Sequence, residues 1–148
     1  MGEGGAAALI EGAALHSGLR CRVRLHPGEG EVRFLVGGVS IPARIAYVTD
    51  TNRCTTLGKD GARLALVEHL LAALHIRGWW RGLTIEASAP ELPILDGSAQ
   101  GWLEAVTALG APPPPPPALS VKEEHRWRFG ASSVTVGPGE RRLCSEIY

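Results

Sequence analysis

Residues 19–36, LRCRVRLHPGEGEVRFLV, decide the fold class, because apolar and polar side chains alternate along most of their length. Successive side chains of a β-strand point to opposite faces, so this alternation predicts two half-buried strands. The turn-forming residues 27–30 between them predict a hairpin. Alternation in residues 41–45 and 83–87, and a β-prone stretch at 52–57, predict further strands of a mainly antiparallel sheet.

Two later segments have the period of a helix. We expect the first helix to run from Ala62 to Arg77 and to end at Gly78, with an apolar stripe formed by Val67, Leu70, Leu71 and Leu74. We expect the second to run from Ala99 to Leu109 after a cap at Ser98. The predicted fold is therefore α+β, a two-layer sandwich with both helices on one face of the sheet.

The domain organisation follows from a proline run and an internal echo. Six consecutive prolines, 112–117, form a semi-rigid extended spacer, although a ligand for a polyproline-binding groove is an alternative. VRLHPGE at 23–29 is echoed by VTVGPGE at 134–140, which indicates a second copy of the domain unless the likeness of two strand–turn segments is chance. The predicted organisation is a first domain, a linker and the first strands of a second, similar domain, at residues 1–111, 112–118 and 119–148.

Composition excludes several classes of function. The 148 residues include 15 basic and 15 acidic side chains, and this balance argues against a nucleic-acid partner. No apolar run approaches the roughly 18 residues that a membrane span needs. Three cysteines without a CxxC pair, and no signal-peptide pattern, predict a cytoplasmic protein.

The most suggestive candidate for chemistry is the pair Glu68–His69 on the first predicted helix. Adjacent helix residues differ by about 100°, so both side chains can point into one cleft. A neutral imidazole can bind zinc while a carboxylate takes a proton from the metal-bound water. A solvated glutamate beside a hydrogen-bonded histidine is the alternative.

Two loops are further candidates. Residues 89–99, APELPILDGSA, follow an extended path fixed by two prolines and turn at Asp96 into the second helix. Residues 12–18, GAALHSG, place His16 in a loop between strands. Both loops have an architectural alternative, a helix cap in the first and a self-bonded turn in the second.

Five segments, in this order, resemble the N-terminal half of UDP-3-O-acyl-N-acetylglucosamine deacetylase, the zinc enzyme of lipid A synthesis. The similarity extends over about residues 8–110 and is carried by GAALHSG (12–18), IPAR (41–44), DTNRCTTL (50–57), VEHLLAAL (67–74) and APELPILDGSA (89–99). The resemblance implies two similarly folded domains that face one another through their helices.

The resemblance also implies roles for individual residues. His69 would be one zinc ligand, and Glu68 the general base that activates the zinc-bound water for attack on the acetamide carbonyl. Arg53 stands where the family pattern has an aliphatic residue. Residues near the metal and the acyl passage would be Thr51, Cys54 and Thr55, with His16 and Asp96 in supporting roles.

The family places its other two zinc ligands in an HKxxD-type motif of the second domain, and residues 1–148 contain no such motif. We therefore expect the amino-terminal part of a zinc-dependent amidase that acts on a UDP-linked acylated amino sugar, truncated or completed by another chain, and inactive in isolation. A half-length, non-catalytic binding or structural module is the alternative, and a site shared by two copies is a third possibility. An uncovered helix layer would expose apolar side chains, so we also expect self-association as a dimer.

Overall fold

A computed structural model describes residues 7–117 and 120–140, which fall into two compact units divided between Pro115 and Pro116. The elements of the first unit are β1 (Ala8–Ala13), β2 (Arg20–Glu31), β3 (Arg33–Val36), β4 (Val39–Pro42), β5 (Val48–Asp50), β6 (Thr56–Lys59), β7 (Ala62–Leu64), α1 (Glu68–Arg77), β8 (Arg81–Ala87) and α2 (Gln100–Ala108). Those of the second are β9 (His125–Phe129) and β10 (Ser132–Val136). No helix within the described ranges is long and apolar enough to cross a bilayer.

The first unit has the predicted α+β architecture. Five strands form a sheet in the order β1-β2-β8-β3-β4, in which all neighbours are antiparallel except the parallel pair β3 and β8. Strands β5, β6 and β7 form a smaller antiparallel sheet. The helices contribute to one core with the inward side chains of the large sheet, among them Leu70, Trp102, Leu25, Phe34 and Ile85.

The predicted hairpin at residues 27–30 is wrong. Strand β2 continues through this segment with a register shift between Pro27 and Glu31, and β8 lies between β2 and β3. Gly30, at φ +80°, takes a left-handed conformation that lets the strand bulge instead of reversing. Strand β8 therefore lies in the middle of the sheet with both edges paired, and its residues 82, 83, 85 and 87 are buried.

Two predicted strands, like the first helix below, have bounds that differ from the prediction. The strand at 41–45 ends at Pro42, and Ile45, 91% exposed, belongs to a short 3-10 helix. Only the end of 52–57 is a strand, because the Asn52 N–H donates to Asp50 Oδ1 (2.9 Å) and closes a turn.

The first helix begins at Glu68 instead of Ala62. Asp60 and Gly61, at φ 49° and 82°, form a two-residue turn that joins β6 to β7. As predicted, the helix ends at Gly78, which is left-handed at φ 78°.

The second unit contains the antiparallel hairpin β9–β10, paired from Ser132 opposite Phe129 to Val136 opposite His125. Residues that lie opposite each other in a ladder share a face of the sheet. The hairpin therefore has one largely apolar face, which is exposed and carries Trp127, Phe129, Val134 and Val136.

Candidate active site

The first turn of α1 is tied to the loop before β6. Glu68 opens the helix, and its Oε2 accepts a hydrogen bond from the Thr55 N–H at 2.9 Å. The Thr55 carbonyl accepts the Val67 N–H at 3.4 Å. A carboxylate at a helix N-terminus is also favoured by the helix dipole. Glu68 is therefore held in place from one side, and it and His69 are both half-buried.

The turn at Asp96 is closed by hydrogen bonds from Ser98. Hydrogen bonds from the Ser98 N–H (2.9 Å) and hydroxyl (2.8 Å) to Oδ1 lower the pKa of Asp96, and a positive charge on His69 lowers it further. Ser98 Oγ in turn accepts the Gln100 N–H at 3.0 Å, at the start of α2. The turn that the sequence predicts at Asp96 is thus present, and both oxygens of its carboxylate accept hydrogen bonds from Ser98.

Glu91 is a buried carboxylate that sequence reasoning left without a role. It is 4% exposed, and it accepts hydrogen bonds from the His16 N–H (2.7 Å), His16 Nδ1 (2.9 Å) and the Ser17 N–H (2.9 Å). Burial acts to raise the pKa of Glu91, but the hydrogen bonds from His16 and Ser17 together outweigh it and lower the pKa. The available signal was a glutamate between two prolines in an apolar stretch, because a buried carboxylate requires partners.

The segment that carries Glu91 forms backbone hydrogen bonds with Ala65, before α1, and with Ala13, at the end of β1. The Ala65 N–H donates to the Pro90 carbonyl (2.9 Å), and the Leu92 N–H donates to the Ala65 carbonyl (3.0 Å). On the other side, the Ile94 N–H donates to the Ala13 carbonyl at 3.1 Å. The start of α1 and the end of β1 are therefore held by one extended connection.

Glycine is required where that connection crosses β1. A Cβ added to Gly12 would lie 2.9 Å from Pro93 Cβ, closer than side-chain atoms can approach. The first residue of the GAALHSG segment therefore permits the close passage of the APELPILDGSA segment.

Strained backbone concentrates around these segments. Among the described residues, the non-glycine positions with positive φ are Arg53 (66°), Leu66 (64°), Leu95 (56°) and Asp60. Asp60 forms the β6–β7 turn, and each of the others lies within three residues of a candidate site residue. A left-handed conformation costs roughly 1–2 kcal/mol per L-residue and persists where the surroundings enforce it, as they often do at functional sites.

The structure brings one pair of the sequence-predicted residues into contact. Thr55 contacts Glu68, whereas His16 contacts Glu91, a residue that was not predicted. Asp96 forms its hydrogen bonds with Ser98. Cys54 Sγ is 3.8 Å from the Thr56 hydroxyl, and Thr51 is exposed.

A complete metal site is not formed by residues 7–117 and 120–140, which hold no cluster of three or more His, Cys, Asp or Glu side chains. A catalytic zinc normally has three protein ligands and one open position. His69 offers a donor of the class that zinc takes, but alone it does not complete the set.

Comparison with known proteins gives a consistent result. The model of one protein family, LpxC, described as UDP-3-O-acyl N-acetylglycosamine deacetylase, matches residues 6–147. Three similar proteins are each named UDP-3-O-acyl-N-acetylglucosamine deacetylase. They come from Myxococcus xanthus (44% identity, 70% of this chain and 34% of the relative), Thermosynechococcus vestitus (45%, 69% and 38%) and Aquifex aeolicus (42%, 66% and 35%). The aligned part of the chain spans about a third of the length of these relatives.

Proposed function

The chain belongs to the UDP-3-O-acyl N-acetylglycosamine deacetylase family, and from this premise we propose that it carries the first-domain half of a zinc-dependent deacetylase site. The reaction would be hydrolysis of the N-acetyl group of UDP-3-O-acyl-N-acetylglucosamine in lipid A biosynthesis. The relatives' shared name supports this assignment.

The observation that carries the proposal is the hydrogen bond from the Thr55 N–H to Glu68 Oε2. It fixes one carboxylate oxygen, while Oε1 makes no hydrogen bond to the described part of the chain. That oxygen would take the proton from a water whose oxygen bonds to the acetamide carbon. The C–N bond then breaks, acetate leaves, and the amine takes up a proton.

His69 would hold the metal at the adjacent position. Zinc bound there would polarise the acetamide carbonyl and lower the pKa of the attacking water. We assign Asp96 a supporting role on the resemblance of its segment, APELPILDGSA, to the family. Its carboxylate oxygens accept hydrogen bonds from Ser98, which hold the turn before α2.

His16 would support the site from the opposite loop. Glu91 holds the His16 ring through Nδ1, and the His16 side chain is partly exposed. The acyl passage would run past Thr51, Cys54 and Thr55 on the other side of Glu68.

A second domain would supply the remaining zinc ligands. The sequence echo places Val23 and Leu25, both fully buried in β2, in correspondence with Val134 and Val136 of β10. The latter two lie on the apolar face of the hairpin. Corresponding residues thus lie on the apolar face of their strand in both segments. This correspondence supports the proposal that residues 119–148 begin a second copy of the domain, with residues 112–118 as the linker. Self-association could cover the same face.

The proposed compartment is the cytoplasm. Cys21 and Cys54 are free thiols, as expected where the environment is reducing.

Zinc content and deacetylase assays of the purified chain test the proposal. We expect weak zinc binding and no turnover of UDP-3-O-acyl-N-acetylglucosamine by the chain alone. Addition of the carboxyl-terminal two thirds of the Myxococcus xanthus relative should give zinc-dependent turnover, lost in Glu68→Gln and kept in the matched control Glu104→Gln on α2. His69→Ala should release the metal.

Other outcomes would redirect the assignment. Stoichiometric, tightly held zinc with turnover by the chain alone would mean that two copies complete the site. A folded mixture without zinc or turnover would favour the alternative, a non-catalytic binding or structural module.

A further inference from the structure

A notch lies on the outer face of the five-stranded sheet, where the parallel strands β3 and β8 both end. Val36 and Ala87 are paired there as the last residues of their strands. The chain leaves the sheet immediately afterwards, through Gly37 and Gly38 on one side and Ser88 on the other. A cavity of about 390 Å³ results, within the range of small-ligand sites.

The outer face at this point is rich in arginine. The alternation of β2 directs Arg20, Arg22 and Arg24 outward, and all three are exposed. Arg22 and Arg24 line the notch, and a neighbouring cavity of about 330 Å³ shares Arg22 and adds Arg20. The two cavities also share Ser88, and Glu11 lines the second.

The carboxylates of this face leave one arginine unpaired. Glu11, opposite Arg22 in the ladder, forms an ion pair with it. Glu86 lies opposite Arg24, but its Oε2 is 3.4 Å from His26 Nε2. Arg24 therefore has no ion-pair partner within the described residues, so its guanidinium group, unlike that of Arg22, is not neutralised by a carboxylate of this face.

The other walls suit an anion that has an apolar part. Ser88 Oγ accepts a hydrogen bond from the backbone N–H of Arg22 at 2.8 Å, so the hydroxyl hydrogen of Ser88 remains available to a ligand. A Cβ added to Gly37 or Gly38 would have no atom within 4 Å, and the absence of side chains at these two residues leaves the notch open to solvent. Leu35 and Ala87 provide apolar lining beside the arginines.

We propose that this notch binds a small phosphate monoester, with the guanidinium groups of Arg24 and Arg22 and the hydroxyl of Ser88 as donors. Guanidinium forks match the geometry of phosphate oxygens and form charge-assisted hydrogen bonds to them. The organic part of the ester would lie against Leu35 and Ala87. This site is separate from Glu68 and His69 and does not depend on the proposed deacetylase activity.

Titration of the full chain with phenyl phosphate, followed by NMR amide shifts, tests the proposal. We expect saturable shifts at Gly37, Gly38 and Ser88. Arg24→Ala should weaken binding about tenfold, because it removes a charge-assisted donor. Arg77→Ala, the same change on an exposed arginine of α1, should leave binding unchanged.

Glu86→Gln provides a test that does not depend on loss of structure. Removal of the one carboxylate in the notch should tighten phenyl phosphate binding several-fold, since its repulsion of the ligand disappears. Absence of shifts at the three amides, or equal weakening by Arg77→Ala, would overturn the proposal. Equal affinity for benzoate would overturn the phosphate assignment and indicate a carboxylate site.

Discussion

The large sheet of the first unit and the hairpin β9–β10 have the same alternating strand pattern but opposite burial. Val23, in β2, is 0% exposed, whereas Val134, its counterpart in the echo, is 53% exposed. Alternation determines which side chains share a face, but only a covering layer gives that face its stabilising effect. The first unit has such a layer in α1 and α2, and matched substitutions in the two regions measure what it contributes.

The largest contrast is expected for the two phenylalanines. Phe34→Ala should lower the free energy of unfolding of the first unit by about 3–5 kcal/mol, because it leaves a cavity in the core. Phe129→Ala, at a side chain 65% exposed, should change it by less than about 0.5 kcal/mol. Urea denaturation followed by circular dichroism measures both. Equal losses would mean that the hairpin face is covered in solution.

The echo-matched valines should differ in the same direction by less. Val23→Ala removes two fully buried methyl groups and should cost about 2–3 kcal/mol. Val134→Ala should be close to neutral. The comparison would fail if thermal melts of the two variants coincided.

Two Glu–His pairs provide a third contrast. Glu91→Gln should cost about 2 kcal/mol at neutral pH, because it weakens charge-assisted hydrogen bonds to the His16 loop. Glu123→Gln, in the exposed pair with His125 (3.8 Å), should cost almost nothing.

The effect at Glu91 should also depend on pH. Folding lowers the pKa of Glu91, so its contribution is present above about pH 4.5, the ordinary value for a glutamate. The contribution is lost as the pH falls through the lowered pKa. Denaturation curves at several pH values should therefore show wild type and Glu91→Gln converging in acid, and a constant difference would contradict this account.

The smallest contrast concerns two exposed arginines. Arg53→Gly should stabilise the first unit by roughly 0.5–1 kcal/mol, because glycine adopts φ 66° without steric cost. Arg128→Gly, in the regular strand β9, should bring no gain. A loss of stability in Arg53→Gly would mean that the arginine side chain makes contacts that outweigh its backbone strain.

Local sequence patterns predicted the elements whose signals are complete within a few residues. The alternation of β2, the strand around Leu83 and the helix end at Gly78 are of this kind. The partner of a strand is not a local property, and for this reason the insertion of β8 between β2 and β3 was missed.

The residues of the candidate site also divide into those that a local pattern predicts and those that it does not. Glu68 and His69 could be recognised together because they are adjacent on one helix, and their roles remain proposals. The contact between Glu91 and His16 joins residues 75 positions apart. Nothing in the spacing of either segment encodes that contact, although a glutamate within an apolar, proline-flanked stretch signals that some partner exists.

The place of β8 in the sheet has a consequence for biosynthesis. The strand in the middle of the sheet is the last of the five in the chain, since it ends at Ala87 while its neighbours β2 and β3 are complete by Val36. A nascent chain would therefore hold two unpaired strand edges until β8 emerges from the ribosome, and open edges invite pairing with other chains. Slow translation between residues 37 and 81 would prolong that interval, so we expect the yield of folded protein to be more sensitive to codon usage there than in residues 88–117.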